Sequence, residues 1–187
     1  MKFLIFGLGN MEPQYIGTRH NIGFDTLSYW AEKEGLSFEP TRYADRAEAR
    51  FKGKKFILLK PSTYMNLSGK AVNYWLQKEK TTPERMFVIV DEIALPFGTI
   101  RIRAKGSDGG HNGLAHINQV LGGSNYPRLR FGIGDEYAQG RQIDYVLGKW
   151  APHEMEKLPQ RMDRIIEAVK GFGTIGLTRA MNFYNGT

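Results

Sequence analysis

Lys2-Phe-Leu-Ile-Phe-Gly-Leu-Gly-Asn10 is the stretch that decides the fold. A short apolar run that ends at a glycine turn is typical of a buried strand. From Asn21 onward, apolar residues recur at helical spacing as far as Gly35, a residue type that commonly ends helices. A buried strand followed directly by a helix is the opening unit of an α/β domain.

The segments that follow continue to alternate between strand and helix patterns. Further strands are predicted at 46–51, 56–59, 86–90, 99–103 and 129–133. Helices are predicted from Ser68, as the capping residue, to about Lys78, at 113–121 and over 152–184, with an interruption at Pro159. We therefore predict one three-layer α/β domain over residues 1–187, built on a mixed, largely parallel, twisted sheet flanked by helices.

Composition excludes several classes of protein. The 187 residues suit one compact domain, and the absence of cysteine rules out disulfides, thiolate metal sites and a cysteine nucleophile. No apolar stretch reaches the roughly 18 to 20 residues that span a bilayer, and no signal peptide is recognisable, so we expect a cytoplasmic protein. The formal charge of +7 suits a polyanion such as RNA, although ordinary solubility is an alternative explanation.

Four polar segments carry the candidate chemistry: Gly7–Asn10, Thr18–Asn21, Lys60–Gly69 and Gly109–Gly113. His20 can accept a proton at neutral pH, and Asp91, which ends an apolar run, is the best candidate to orient its ring. Asn10, Asn66 and Asn112 offer uncharged donors and acceptors that would not raise the pKa of the histidine. Ligands gather at the carboxyl ends of strands in such sheets, and both Asn10 and Asp91 follow predicted strands.

Other site types fit the sequence poorly. The glycines before Asn10 resemble the start of a dinucleotide fingerprint, but Glu12 stands where the third glycine belongs. His111 and His116 are five residues apart, unlike the histidine pair of a zinc-binding helix. Neither a serine nucleophile elbow nor a phosphate-binding Walker loop is present. We therefore expect no metal and no cofactor.

Basic residues recur at every second position along two predicted strands. Arg101, Arg103 and Lys105 form one set, and Arg128 and Arg130 form the other. Either set alone is consistent with a solvated strand face. Two sets on a common face of the sheet, close to the Gly109 segment, predict a clamp for the phosphates of a nucleic acid.

These segments together resemble the bacterial-type peptidyl-tRNA hydrolase family. The resemblance extends from Leu4 to about Lys149, with a weaker match at Thr178–Phe183. It rests on the segments Gly7–Gly23 (including Tyr15), Lys60–Gly69, Asp91 with Leu95–Gly98, and Gly109–Gly113. Several multi-residue motifs in the same order over most of a domain make this a specific signal.

The resemblance implies a monomeric, cofactor-free esterase that cleaves the bond between a peptide and the terminal ribose of tRNA. It implies that His20 activates water, that Asp91 holds the ring and that Asn10 selects an N-blocked aminoacyl group. Residues implied to line the cleft are Tyr15, Tyr64, Asn66 and Asn112. Asn66 or Asn112 is implied to stabilise the oxyanion, and the helices from about Ala151 are implied to cover the cleft in part.

One departure from the family pattern concerns the residues after Asn10. Met11-Glu12 stands where the family usually has Pro-Gly, and Glu12 would be strained if that position required a positive φ. A non-catalytic RNA-binding relative is therefore a second hypothesis, and a nucleotide-binding oxidoreductase is a third. The intact His20, Asp91 and asparagines favour the hydrolase.

Overall fold

The computed structural model describes residues 1–187 and places seven strands in one sheet. The strands are β1 (Lys2–Gly7), β2 (Glu39–Pro40), β3 (Ala44–Phe51), β4 (Lys54–Pro61), β5 (Met86–Glu92), β6 (Ile100–Arg103) and β7 (Arg128–Gly132). Their order is β2-β3-β4-β1-β5-β7-β6. The four central strands run parallel, and the edge strands pair in the antiparallel sense. The predicted mixed sheet is confirmed.

Six α-helices flank this sheet. They are α1 (Ile22–Glu34), α2 (Ser68–Lys78), α3 (Asn112–Leu121), α4 (Gln142–Val146), α5 (Pro152–Ile175) and α6 (Leu177–Tyr184). The short helix α4 was not predicted from the sequence. None of the six is long and apolar enough to cross a membrane.

Two separate apolar cores lie on opposite faces of the sheet. Successive side chains of a strand point to opposite faces, so Phe3 and Ile5 enter one core and Leu4 and Phe6 enter the other. The first core contains side chains of α1, α5 and α6, and the second contains side chains of α2 and α3. Every apolar side chain of β1 from Phe3 to Phe6 is buried. This confirms the three-layer arrangement.

The path of the chain creates a crevice beside β1. The chain leaves β1 through α1 and returns on the β4 side, and it then leaves β4 through α2 and returns as β5 on the other side. The carboxyl ends of β1 and β5 are therefore neighbours at the point where the winding direction reverses. In open α/β sheets this is where ligands bind.

Helix α5 continues through Pro159, against the predicted interruption. A proline in the second turn removes one hydrogen bond, the one to the carbonyl group of Met155. Both residues are exposed, so water can reach that carbonyl group. The helix buries Ile165, Val169 and Phe172 further along, and this burial outweighs the local loss.

Ser68 had been predicted to cap α2 from outside the helix. In the structure it is the first residue of α2. Its hydroxyl group donates to the carbonyl oxygen of Met65 at 2.7 Å. This bond closes the short 3₁₀ turn Met65–Leu67 that leads into the helix. The helix ends at Lys78, as predicted.

Candidate active site

His20 and Asp91 meet at the crevice between β1 and β5. His20 lies in a 3₁₀ turn, Arg19–Asn21, immediately before α1, and Asp91 is the second-last residue of β5. The Nδ1 atom of His20 is 3.0 Å from each carboxylate oxygen of Asp91. With its Nδ1 proton donated to Asp91, His20 keeps a free lone pair on Nε2 that can accept a proton.

Asp91 holds a second imidazole, that of His111. The Nε2 atom of His111 is 3.0 Å from Oδ1 of Asp91, and the two imidazole rings are 5.0 Å apart. The Nδ1 atom of His111 accepts the backbone N–H groups of Gly113 and Leu114 at the start of α3. Because Nδ1 is an acceptor, the proton of a neutral His111 lies on Nε2, and His111 donates it to Asp91.

The charges of this pair are set by burial and by contact. Burial disfavours a charged imidazole, but the adjacent carboxylate of Asp91 outweighs burial and raises the pKa of His20. Burial also favours a protonated Asp91, yet the contacts with His20 and His111 lower the pKa of this carboxyl below its usual range. Asp91 is therefore an ionised acceptor at neutral pH.

Asn10 is held in the crevice by a buried neighbour. The Asn10 backbone N–H donates to the Oδ1 atom of Asn21 at 2.7 Å, and the Nδ2 atom of Asn21 donates to the Asn10 carbonyl oxygen at 2.9 Å. Asn21 is fully buried. The turn that carries His20 thus also fixes the backbone of Asn10.

Replacing Asn21 with alanine should lower the free energy of unfolding by about 1–3 kcal/mol, because two buried backbone groups of Asn10 lose their partners. Urea denaturation measures this loss. Asn73→Ala is the control, because Asn73 is exposed on α2 and its side chain accepts a hydrogen bond from the exposed Gln77. A loss for Asn21→Ala no greater than that for the control would contradict the anchoring role.

A cavity of about 640 Å³ opens over these groups. Every residue predicted for catalysis or for the cleft lines it: Asn10, Tyr15, His20, Tyr64, Asn66, Asp91 and Asn112. Tyr64 is 69% exposed and presents its ring at the mouth of the cavity. The structure thus brings together side chains from four distant segments of the chain.

The wall expected from the C-terminal helices is supplied by α4 instead. Gln142, Ile143, Val146 and Leu147 line the cavity, whereas no residue beyond 150 does. Helices α5 and α6 instead pack apolar side chains into the core on the α1 face of the sheet. The α4 wall is apolar and open to solvent, with Ile143 74% exposed.

Arg19 ties this wall to the turn that carries His20. Its guanidinium group lies 4.0 Å over the ring of Tyr145, donates to the Tyr145 carbonyl oxygen at 3.1 Å and pairs with Glu154 at 3.1 Å. The Arg19 backbone N–H also donates to the carbonyl oxygen of Gly148. The ion pair with Glu154 is buried, so its two charges satisfy each other away from water.

The Met11-Glu12 departure causes no strain in the backbone. Glu12 has a φ of −65° and a ψ of 139°, an extended conformation that any residue adopts. The loop after Asn10 therefore does not depend on a glycine at position 12.

Comparison with known proteins agrees with the geometry. The family model described as peptidyl-tRNA hydrolase matches residues 4–187. The chain belongs to the peptidyl-tRNA hydrolase family. A peptidyl-tRNA hydrolase of Cytophaga hutchinsonii is 54% identical over 99% of this chain and 98% of that protein, and one of Porphyromonas gingivalis is 52% identical over 99% and 100%. The crystal structure of peptidyl-tRNA hydrolase from Acinetobacter baumannii has a TM-score of 0.89 and 33% identity, and the match covers 99% of this chain and 96% of that one.

Because the chain belongs to the peptidyl-tRNA hydrolase family, its exposed basic residues are candidates for contact with phosphates of tRNA. Arg101 and Arg103 alternate with the buried Ile100 and Ile102 along β6, and both arginines are exposed. Lys105, just beyond the strand, is also exposed. The exposure of these three residues agrees with the alternating pattern, and their contact with phosphates stays a prediction.

Arg128 does not join this exposed set, which corrects the predicted clamp. Its side chain is fully buried and donates to the backbone carbonyl groups of Gly106, Ser124 and Tyr126. Its guanidinium group also stacks 4.0 Å over the Tyr126 ring. Alternation places Arg128 opposite Arg103, but the loops at the end of the sheet fold over it. It braces these loops and is not available to a phosphate.

Arg130 is intermediate between the exposed arginines of β6 and the fully buried Arg128. It lines the cavity, and its NH1 group is 2.9 Å from Glu92 Oε1 while its NH2 group donates to the Ser107 carbonyl oxygen. Little of it is exposed. A phosphate would have to share this guanidinium group with Glu92, so contact with tRNA at Arg130 stays a prediction.

Proposed function

We propose that this peptidyl-tRNA hydrolase family member cleaves the ester between an N-blocked peptide or aminoacyl group and the 3′-terminal ribose of tRNA. In this proposal it acts as a monomer in the cytoplasm and recycles tRNA from peptidyl-tRNA lost by the ribosome. The observation that carries the proposal is the 3.0 Å contact between His20 and Asp91 in a cleft walled by neutral amides.

The reaction needs one base and two proton transfers. Nε2 of His20 takes a proton from a water molecule while the water oxygen attacks the ester carbonyl carbon. As the tetrahedral intermediate collapses, the bond to the ribose oxygen breaks and the imidazolium returns its proton to that oxygen. Asp91 stays ionised, keeps the Nδ1 proton in place and stabilises the imidazolium. The products are the peptide acid and tRNA with a free hydroxyl group.

Neutral amides complete the site. Asn66 and Asn112 are exposed on the cavity wall, and either can donate an N–H to the developing oxyanion. Removal of one such donor typically costs about 2.7–4 kcal/mol of transition-state stabilisation. Asn10 selects the N-blocked group in this proposal, and Tyr15 and Tyr64 contact the peptide or the 3′ end.

The same cluster has ligand atoms at a spacing that could suit a metal ion. Atoms of His20, Asp91 and His111 lie within 4.8 Å of one another. The two imidazole nitrogens that face Asp91 hold the protons of its hydrogen bonds, so the donor set is already occupied. We propose metal-independent chemistry, and dialysis against EDTA should leave the turnover rate unchanged.

A turnover assay tests the function. Purified protein should release tRNA from N-acetyl-aminoacyl-tRNA, and it should act much more slowly on the same tRNA with a free α-amino group. Binding of both RNAs without turnover would favour the non-catalytic RNA-binding alternative. Equal rates on the two substrates would contradict selection of the blocked group.

Reversing two charges on β6 should weaken the binding of tRNA. Arg101→Glu with Arg103→Glu should raise KM for the full tRNA substrate by about 10- to 100-fold at low salt, because phosphate contacts dominate such affinities. KM for a short blocked aminoacyl-nucleotide ester should change little, and kcat/KM for tRNA should depend less steeply on salt.

The control for this pair is Arg50→Glu with Lys52→Glu. These residues are also exposed and basic, and they lie at the hairpin between β3 and β4, towards the other edge of the sheet. Equal rises in KM for the two double variants would mean that net charge, and not the β6 face, attracts tRNA. Equal losses on both substrates in the β6 variant would point to misfolding.

A further inference from the structure

Helix α2 begins with a hydrogen bond to a different helix. The first N–H groups of a helix have no partner within it, and a buried one must find a partner elsewhere. Gly69, the second residue of α2, is buried, and its N–H donates to Nδ1 of His116 on α3 at 2.9 Å. His116 therefore caps α2 from outside.

The two helices touch at this bond. A Cβ atom on Gly69 would lie 2.8 Å from Nδ1 and from the carbonyl oxygen of His116, and 2.7 Å from a methyl group of Val120. These distances are shorter than real contacts, so a glycine is required at position 69. The bond from Gly69 to His116 thus lies where the backbones of α2 and α3 are in tight contact.

One of the two candidate oxyanion donors lies at or just before the start of each helix. Asn66 belongs to the 3₁₀ turn directly before α2, and Asn112 is the first residue of α3. A second close approach joins the same segments, because a Cβ atom on Gly113 would lie 2.8 Å from the sulfur of Met65. The seam between α2 and α3 therefore sets the separation of Asn66 and Asn112.

We propose that His116 is a positioning residue that places Asn66 against Asn112 through its bond to Gly69. His116 does not line the cavity, so it acts only through the helix that it holds. The bond requires an unprotonated Nδ1, because that atom must accept. The proposal rests on the proposed function, since it assigns a use to the spacing of two amides in the hydrolytic site.

Two substitutions separate positioning from ordinary packing. His116→Asn keeps an acceptor at nearly the place of Nδ1, whereas His116→Leu fills similar space without one. We expect His116→Leu to lower kcat on N-acetyl-aminoacyl-tRNA by about tenfold with KM nearly unchanged, because small misplacements of catalytic groups are costly. His116→Asn should stay within about twofold of the unsubstituted protein.

Tyr126→Phe serves as the control, and hydrogen exchange at the Gly69 amide reports directly on the bond to His116. Tyr126→Phe also removes one hydrogen bond of α3, the bond to Asn118 at 2.7 Å, but it leaves the bond to α2 intact. Its kcat should not change. Hydrogen exchange at the Gly69 amide, followed by NMR, should be much faster in His116→Leu and nearly normal in His116→Asn.

The outcomes discriminate clearly between the possibilities. Fast exchange at Gly69 with unchanged kcat in His116→Leu would overturn the positioning role and leave the proposed function intact. Equal losses of kcat in the Leu and Asn variants, with rescued exchange only in Asn, would also overturn it. Absence of turnover in the unsubstituted protein would refute the proposed function, and the positioning role with it.

Discussion

Replacing His20 with alanine is expected to lower kcat on N-acetyl-aminoacyl-tRNA by about 10²- to 10⁴-fold, the usual contribution of a positioned general base. KM should change little, because the arginines of β6 and the amides of the cleft are untouched. Single-turnover measurements would show that the lost step is chemistry and not release of product.

His153→Ala is the matched control for this experiment. His153 is exposed near the start of α5 and does not line the cavity, so its removal should not change kcat. Thermal melting of both variants separates loss of chemistry from loss of fold. A folded His20→Ala variant with kcat close to that of His153→Ala would refute the base assignment.

Asp91→Asn should be about as damaging, with a loss of kcat on the order of 10³- to 10⁴-fold, which lies within the range expected for His20→Ala. An amide presents one oxygen and one NH₂ group where the carboxylate accepts from both His20 and His111. One imidazole must then lose its acceptor or change its tautomer. If His20 turns its unprotonated nitrogen towards the amide, the atom left facing water can no longer act as a base.

The pH profile gives a second readout for this variant. The carboxylate of Asp91 raises the pKa of His20, so under the proposed mechanism activity should be lost on the acid side as His20 becomes protonated. Removal of the carboxylate lowers this pKa, so the acid limb of kcat should move to lower pH even as the plateau falls. Glu92→Gln is the control, because the neighbouring Glu92 carboxylate pairs with Arg130. An acid limb that moves equally in both variants, or not at all in Asp91→Asn, would contradict this account.

Local sequence pattern predicted six of the seven strands of the sheet, and it missed only the two-residue edge strand β2 (Glu39–Pro40). The alternation of isoleucine and arginine in β6 indicates a strand that is buried on one face. The apolar run that ends at Asp91 indicates a strand that is buried on both faces. The crevice followed from the positions of Asn10 and Asp91 after parallel strands. Pro159 was misjudged because its cost depends on whether solvent reaches a carbonyl group one turn earlier, which a local pattern does not reveal.

Only part of the candidate site could be predicted from the same sequence patterns. Asn10, His20 and Asp91 were identified, but the second imidazole on Asp91 was overlooked because His111 was weighed only as a metal ligand. Its position directly before a predicted helix was the available signal, since such a residue can accept the first N–H groups. Asn21 was given no role of its own, because its hydrogen bonds join it to a loop eleven residues earlier in the chain.

Arg128 shows the limit of alternation most clearly. Arg103 and Arg128 are direct partners across two strands and emerge on one face, as expected. Which of them reaches water is decided by the loops at Gly106 and Ser124, which enclose one guanidinium group and not the other. Strand periodicity carries no information about the path of such loops.

Asp91, whose carboxylate we propose to orient the base, belongs to β5, a strand whose residues from Met86 to Asp91 are all buried in the middle of the sheet. Segments of this kind open only when the whole molecule unfolds, whereas loops open locally at lower cost. Catalysis should therefore persist during heating until the cooperative melting transition itself. Heat inactivation and global melting should follow one curve, so the turnover that remains at a given temperature would report the fraction of protein that is still folded.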